Sequence, residues 1–336
     1  MEKALGPTRK TLRSDLALAA VVGLGATVTF AGGPAQAFPP QDLPCPTSRL
    51  APYGLAPKPV NKFHCATADC LVTFKDYRWW TAYQYPFFNG DLGTAFAPEH
   101  AFVVSDGLHL KIAKDVDLGA GEVWSGGEAV LMFNGDGSEA NLVYGDYLVT
   151  AKLLTAPSWA DLDPNVALGL FTYERPASGP QDNPGREIDL AEISSWGWDH
   201  TGACPFSGFN GKFDKTTLCE GNAQFATQDF TKSPPSVKRY EIGKNPVVTL
   251  LMLWHGQADL VIFNEYNGAF TFETLPSSPD NNWLLPTGLV NFIPKAACER
   301  FHINFWLGNY LNHPPPSSPQ EAVITNFQFK QFKPSQ

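Results

Sequence analysis

The sequence predicts an all-β protein, an antiparallel β-sandwich or jelly roll, and three observations support this expectation. Short segments in which apolar and polar residues alternate recur along most of the chain, as half-buried strands require. Gly and Pro, 29 of each in 336 residues, separate these segments as turn formers. No stretch keeps a helical period of apolar residues for more than two turns, and no internal repeat indicates a propeller.

The strands are predicted in chain order. Leu108, Leu110 and Ile112 alternate with polar residues, so residues 100–112 are expected to form a hairpin around the turn Asp106-Gly107. Further strands are predicted at residues 130–133, 147–154, 166–173, 247–254, 260–263, 301–307 and 323–332. Because this pattern continues almost to the C-terminus, we expect residues 63–336 to form one domain.

The N-terminal residues predict an export signal followed by an arm. Residues 1–15 carry four Lys or Arg side chains, residues 16–30 carry no charge, and Ala35-Gln36-Ala37 resembles a cleavage site. This pattern is typical of a signal peptide, residues 1–37, and predicts a secreted protein. A membrane anchor is the alternative, but a helical span needs about 20 apolar residues. Residues 38–62 are Pro-rich and are expected to be an extended arm.

The charge of the chain excludes some partners. The net charge is −9, and the sequence contains no long run of Lys and Arg. Proteins that bind nucleic acid neutralise phosphates with such residues, so no nucleic acid is expected. Without the signal segment, no stretch is apolar enough to span a bilayer, so we expect no membrane partner. We also expect a monomer.

The six cysteines are expected to form disulfides, because an exported chain meets an oxidising environment. Six cysteines allow about 15 pairings. Cys65 with Cys70 and Cys204 with Cys219 are the easiest pairs to close, which leaves Cys45 to join Cys298.

An acidic segment, residues 186–194, is the most informative part of the chain. Glu187 and Asp189 share one face of a regular strand, whereas Glu192 would point to the other face. A β-bulge with one extra residue would place all three carboxylates on one face and bury the apolar residues behind it. Three like charges raise one another's pKa values and cost stability, so the pattern indicates chemistry. A solvated outer strand face, with Arg186 as a partner, is the alternative.

Carboxylates in this arrangement suit the hydrolysis of a glycosidic bond. A retaining mechanism needs two carboxyl groups about 5–5.5 Å apart, one ionised as the nucleophile and one protonated as the acid. A third carboxylate between them would separate their pKa values through its field.

The segment Glu187-Ile-Asp-Leu-Ala-Glu192 resembles the E-I-D-x-x-E signature of glycoside hydrolase family 16, in the bulged form of its laminarinase-like members. Residues 103–110, 125–128, 144–153, 166–173 and 301–308 are similar to further strands of that family. The resemblance implies a concanavalin-like jelly roll and a β-1,3- or β-1,3/1,4-glucan substrate. It also implies that Glu187 is the nucleophile, that Asp189 assists by hydrogen bond and charge, and that Glu192 is the general acid/base.

Aromatic residues are candidates for binding sugar rings, whose apolar faces stack on Trp and Tyr. Trp196 and Trp198 follow the acidic segment, and Trp124 precedes a Gly pair. His302, Asn304 and Trp306 alternate along one strand and would share a face. The alternatives are core packing for the Trp residues and an ordinary hydrogen-bonded histidine for His302.

No metal or cofactor is predicted. The sequence lacks the His and carboxylate spacing of a catalytic metal site. Residues 134–138 place oxygen ligands at calcium-like spacing, but the full twelve-residue ligand pattern is absent, so a structural calcium stays an open alternative.

The sequence therefore predicts a secreted, retaining endo-glycosidase that acts on a polysaccharide. A transglycosylase would form the same covalent intermediate and differ only in the acceptor. A non-catalytic, lectin-like glycan-binding module of the same fold is a further alternative. Glu187 and Glu192 argue against it, because a lectin has no use for a protonated acid at the centre of its cleft.

Overall fold

The computed structural model describes most of the predicted domain. The described residues are 70–81, 95–117, 122–140, 142–173, 187–194, 221–228, 236–255, 260–285, 293–294, 296, 299–307 and 315–332. The predicted signal peptide, arm and domain boundary lie outside these residues. Cys70 is disulfide-bonded, and its partner also lies outside them, so the predicted pairings stay predictions.

The described residues form sixteen strands and two 3-10 turns. The strands are β1 Leu71–Phe74, β2 Tyr77–Trp80, β3 Ala95–Phe96, β4 Ala101–Val104, β5 Gly107–Asp117, β6 Glu122–Asn134, β7 Gly145–Leu153, β8 Val166–Tyr173, β9 Glu187–Ile193, β10 Ala223–Gln228, β11 Ser236–Tyr240, β12 Val247–His255, β13 Leu260–Asn267, β14 Asn281–Leu284, β15 Arg300–Leu307 and β16 Gln320–Gln331. The 3-10 turns are Pro98–His100 and Trp159–Asp161. The described residues contain no helix that is long and apolar enough to cross a membrane.

The strands pair into two antiparallel sheets. Sheet I has the order β1-β2-β6-β15-β8-β9-β10-β11. Sheet II has the order β4-β5-β16-β7-β12-β13-β14. Pairing between β5 and β6 joins the two sheets, and the short β3 lies parallel to β6. Consecutive strands often lie in different sheets, as sandwich topologies require.

One hydrophobic core lies between the two sheets and confirms the predicted sandwich. Its buried residues come from sheet I strands, among them Leu168 and Ile303, and from sheet II strands, among them Leu110 and Leu250. Phe225 of β10 stacks on Phe263 of β13 with 5.1 Å between ring centroids. Burying an aromatic or aliphatic side chain of this size contributes about 1.5–3 kcal/mol, so the core holds the sheets face to face.

β6 is longer than the four residues that alternation predicts, and it includes residues 125–128, where the resemblance implies a strand. It begins at Glu122, and Gly126 and Gly127 lie in its interior. A Cβ on Gly126 would lie 2.1 Å from the backbone oxygen of Phe305, and one on Gly127 would lie 2.1 Å from that of His100. The glycines therefore allow β6 to approach β15 and the turn before β4 closely, where any side chain would clash.

A charged histidine cluster joins β5 to β16 in sheet II. The His109 ring lies 2.8 Å from Asp106 Oδ1 and 2.6 Å from Glu321 Oε1, and it stacks on Phe102. Burial opposes the charged ring, but the hydrogen bonds and charges of Asp106 and Glu321 outweigh it and raise the pKa of His109. His109 donates to both carboxylates only when it is protonated.

The cluster predicts a pH-dependent contribution to stability. A histidine whose pKa is raised in the folded state contributes its full stabilisation at pH values below the unfolded histidine pKa of about 6.5. This contribution is lost as the pH rises through the folded-state pKa. His109→Gln should therefore lower Tm by roughly 2–4 °C near pH 6, and by progressively less as the pH rises through the raised folded-state pKa. Thermal unfolding of both proteins across pH 5–9 checks this, and Asp106→Asn should give a smaller version of the same change. A Tm difference that does not vary with pH would contradict the prediction.

Candidate active site

The acidic segment contains the predicted β-bulge. Leu170 and Phe171 are adjacent on β8, but their partners on β9, Ala191 and Asp189, are two residues apart. The extra residue is Leu190. The pairing of β9 with β10 shifts over the same residues. A bulge of this kind reverses the alternation of the strand after one residue, which confirms the local geometry predicted from the sequence.

The bulge separates apolar from acidic side chains. The core between the sheets receives four β9 residues: Ile188, Leu190, Ala191 and Ile193. Asp189 and Glu192 consequently lie on the opposite face of sheet I, and Glu187, which precedes Ile188, shares that face by alternation. The three carboxylates therefore occupy one face of the sheet, turned away from the core.

The three carboxylates differ in burial. Glu187 and Glu192 are partly exposed, whereas Asp189 is 1% exposed. The two outer groups can therefore be reached by a ligand. The middle carboxylate cannot readily be reached, and it can act only through its field and through groups that touch it.

The carboxyl group of Glu192 is held in a polarised environment. Gln224 on β10 donates from Nε2 to Glu192 Oε2 at 2.5 Å. Burial raises the pKa of Glu192 to about 7, against the lowering effects of the Gln224 hydrogen bond and the positive charge of Arg239. At neutral pH the group therefore exchanges a proton readily, and it can serve as both acid and base.

A glycine lies between Glu192 and Asn304. The register across sheet I places Glu192 of β9 beside Gly169 of β8, and Gly169 beside Asn304 of β15. A Cβ on Gly169 would lie 2.3 Å from Asn304 Oδ1, so the amide lies over the space that a side chain would fill. Asn304 Oδ1 is buried and accepts no hydrogen bond from the described residues. This row of the sheet thus presents an acid and an acceptor that no described residue engages, with no side chain between them.

His302 lies on this same face, two residues before Asn304 on β15, but it does not reach the surface. It is fully buried, stacks on Phe171 with 5.0 Å between centroids, and meets Tyr173 edge-on. Burial, together with the charge of Arg300, lowers the pKa of His302 to about 3, so the ring is neutral. Its Nδ1 lies within hydrogen-bond distance, 3.3 Å, of Oε1 of the buried Glu128. Of the alternatives drawn from the sequence, this geometry favours a hydrogen-bonded sandwich histidine.

The predicted aromatic platforms have different surroundings. Trp306 is 6% exposed and packs with Phe96 and Ala167 on the same face as Asn304. Trp124 on β6 is half-buried and packs against the main core. Trp196 and Trp198 lie outside the described residues. A sugar-binding role for any of the four stays a prediction.

The turn at residues 134–138 uses its oxygens within itself. Ser138 donates from N and Oγ to Asp136 Oδ1, and Asn134 donates to Ser138 Oγ. Within the part of the chain that the structure describes, no group of three or more His, Cys, Asp or Glu could hold a metal ion.

Three residues of this site were missed from the sequence: Gly169, Gln224 and Arg239. Gly169 sits inside a predicted strand, where an isolated glycine signals a close approach. Gln224 lies in a segment whose alternation around Phe225 could have predicted β10. Arg239 carries no local signal, because its role depends on pairing with residues far away in the chain.

No family model matches the chain, and no curated protein matches it. Its fold is similar to that of a β-1,3-1,4-glucanase (lichenase) from a mouse hindgut metagenome, at 14% identity and a TM-score of 0.49, covering 78% of this chain and 96% of that one. It is also similar to the catalytic domain of an endo-1,3-β-glucanase (laminarinase) from Thermotoga petrophila, at 14% identity and a TM-score of 0.47, covering 80% and 96% of the two chains. A pseudo β-1,3-glucanase of Mycobacterium tuberculosis is similar at 13% identity and a TM-score of 0.44, covering 79% and 92%. These values assign no family, and the fold described above rests on the strand register.

The Gly169 gap gives a first test of the site. Gly169→Ala should push the Asn304 amide out of place while the strand stays intact, because the clashing atom ends a flexible side chain. We expect kcat/KM on soluble β-1,3-glucan, the substrate that the motif implies, to fall roughly 10- to 100-fold, with little change in Tm.

A double variant provides the control. If the alanine acts only through the amide, adding Gly169→Ala to Asn304→Ala should cause no further loss. Additive losses would show that the methyl group harms the site in another way.

Proposed function

We propose that the protein is a retaining endo-glycosidase that hydrolyses a β-linked polysaccharide, with a β-1,3- or β-1,3/1,4-glucan as substrate. The observation that carries this proposal is the bulged strand, which directs three carboxylates to one face and leaves the outer two accessible. We further propose that the chain is exported, monomeric and free of cofactors, as the sequence predicts.

The chemistry follows from the three environments. Glu187 attacks the anomeric carbon as a carboxylate, while Glu192 donates its proton to the departing glycosidic oxygen. Glu192, now ionised, then takes a proton from water, the water oxygen attacks the same carbon, and the ester bond to Glu187 breaks. A pKa of about 7 for Glu192 supports this double duty, because the group must give and regain a proton in each cycle.

Asp189 would act without touching the substrate's leaving group. It is almost fully buried, and it lies between Glu187 and Glu192 along β9. A negative charge at this position opposes ionisation of both Glu187 and Glu192. It therefore favours the state in which Glu187 and Glu192 hold one proton between them. The first step requires this state.

Two other functions remain candidates. A transglycosylase would use the same residues and pass the sugar to another glycan instead of water. A lectin-like module would bind the glycan without cleavage, and one of the similar structures is named as a pseudo β-1,3-glucanase. The raised pKa of Glu192, a partly exposed residue, favours an enzyme, because binding alone gains nothing from a group poised to lose a proton.

Cleavage assays on a substrate panel test the proposal. Wild type should release reducing ends from at least one soluble β-glucan, and the first product should keep the β-anomeric configuration by NMR. Glu187→Gln should lower kcat by roughly 10³-fold or more while oligosaccharide binding persists. Glu273→Gln, which neutralises an exposed carboxylate in the β13–β14 connection, is the matched control and should behave as wild type. Binding of glucans and galactans without any cleavage would establish the binding module instead.

A second prediction concerns Glu192. Because it must be protonated for the first step, kcat/KM should fall as the pH rises through about 7. Glu192→Gln should lose this basic limb and most activity on glucan, yet retain formation of the glycosyl-enzyme from aryl glycosides whose leaving group needs no proton. Azide should then accelerate breakdown of the intermediate and give a β-glycosyl azide. A basic limb that persists in Glu192→Gln would assign the acid to another residue.

A further inference from the structure

Arg239 is a buried cation beside the acidic strand. It lies on β11, one strand beyond Gln224 in the order of sheet I, and the two residues are direct cross-strand partners. Its side chain is 4% exposed. One guanidinium nitrogen, Nη2, donates to the backbone oxygen of Gly221 at 2.6 Å, and the other, Nη1, donates to Gln224 Oε1 at 3.3 Å. The first bond fixes the guanidinium to the chain just before β10.

The second bond determines how the Gln224 amide is turned. A carboxamide has one oxygen, which accepts, and one nitrogen, which donates. Because Arg239 can only donate, it engages the oxygen and leaves the nitrogen pointing to Glu192. The nitrogen then donates to Glu192 Oε2 at 2.5 Å. A flipped amide would place two donors against each other on one side and two acceptors on the other.

We propose that Arg239 and Gln224 form a positioning pair for Glu192, in which the guanidinium orients the amide and the amide orients the carboxyl group. This inference rests on the proposed function, since it assigns a purpose to Glu192. Neither residue touches the reacting atoms, so both act through Glu192. The pair leaves Oε1 of Glu192 as the oxygen that faces the substrate and carries the exchanged proton.

The surroundings of Glu192 make this pair its source of positive potential. Among the described residues, the groups that face it from the packed strands are Asp189 and Glu187 on β9, Gly169 on β8, Gln224 on β10 and Arg239 on β11. Two of these are anions, two are uncharged, and Arg239 is the cation. Burial lowers the pKa of Arg239 to about 10, which leaves it charged at neutral pH. The charge and the hydrogen bond both lower the pKa of Glu192, and they counter the burial that raises it.

The positioning pair acts differently at each stage of the catalytic cycle. When Glu192 is protonated, the amide holds the carboxyl group in place without needing its charge. When Glu192 is ionised and must activate water, the same amide and the nearby cation stabilise the carboxylate. Loss of the pair should therefore misdirect the acid and also make the ionised form less stable.

The test uses four variants of the full chain. Gln224→Met keeps the length of the side chain and removes the donor, and Arg239→Met removes the cation. Both should lower kcat about tenfold, leave KM nearly unchanged, and move the basic limb of kcat/KM to higher pH. Arg239→Lys keeps the charge and should keep the limb near the wild-type position. Lys238→Met removes a cation from the adjacent β11 residue, which does not face Glu192, and should match wild type in both respects.

A direct titration separates positioning from general damage. The side-chain carboxyl signal of Glu192 in protein labelled with 13C-glutamate, assigned as the signal absent from Glu192→Gln, should titrate at higher pH in both Met variants. If Arg239→Met does not fold, Gln224→Met decides alone, because the guanidinium keeps its bond to Gly221. An unchanged limb and an unchanged titration in a folded Met variant would overturn the inference, however low the activity.

The same measurements distinguish the two proposals. If wild type cleaves no glucan, the proposed function fails, but the NMR titration still shows whether the pair controls Glu192. If wild type cleaves and the titration does not respond to either Met variant, the function stands and the positioning pair is refuted.

Discussion

The candidate site depends on one extra residue in a strand. Leu190 breaks the alternation of β9, so that four apolar residues enter the core while the carboxylates of the same strand stay on the other face. Without that residue, Glu192 would face the hydrocarbon between the sheets, where an ionised group costs several kcal/mol. The core and the acidic face thus support each other: packing of Leu190 and Ala191 holds the bulge, and the bulge keeps the charges out of the core.

The second constraint is the balance of interactions that sets the pKa of Glu192. Burial disfavours the charge on Glu192, whereas Gln224 and Arg239 favour it, and the outcome is a pKa of about 7. Burial alone would raise this pKa further, whereas the hydrogen bond and the positive charge alone would lower it below its ordinary value. Opposed influences produce a group that changes state with little cost, and a static fold can maintain that balance because both partners are held by neighbouring strands.

Local patterns predicted the sandwich and the bulge. They also predicted the strand before the bulge, since β8 has the bounds expected from its sequence. They predicted less where structure depends on distant pairing. Alternation of apolar and polar residues did not predict that β6 extends through Gly126 and Gly127, where β15 and the turn before β4 approach it, although the resemblance implied a strand at residues 125–128. The partnership of Gln224 with Glu192 spans 32 residues of chain, and it appears only when β9 and β10 are placed side by side. His302 alternates correctly with Asn304, yet its complete burial depends on rings from β8.

The location of Arg239 has a consequence for solubility. β11 is the last strand of sheet I among the described residues, so one row of its backbone groups has no neighbouring strand there. Exposed strand edges invite pairing with other chains, and an inward-pointing charge is one of the features that discourage it. Arg239 and Lys238 place a charge on each face of this strand, and Lys238 lies on the core side as the cross-strand partner of Phe225. A charge on each face of this strand thus discourages another chain from pairing with it at this end of sheet I.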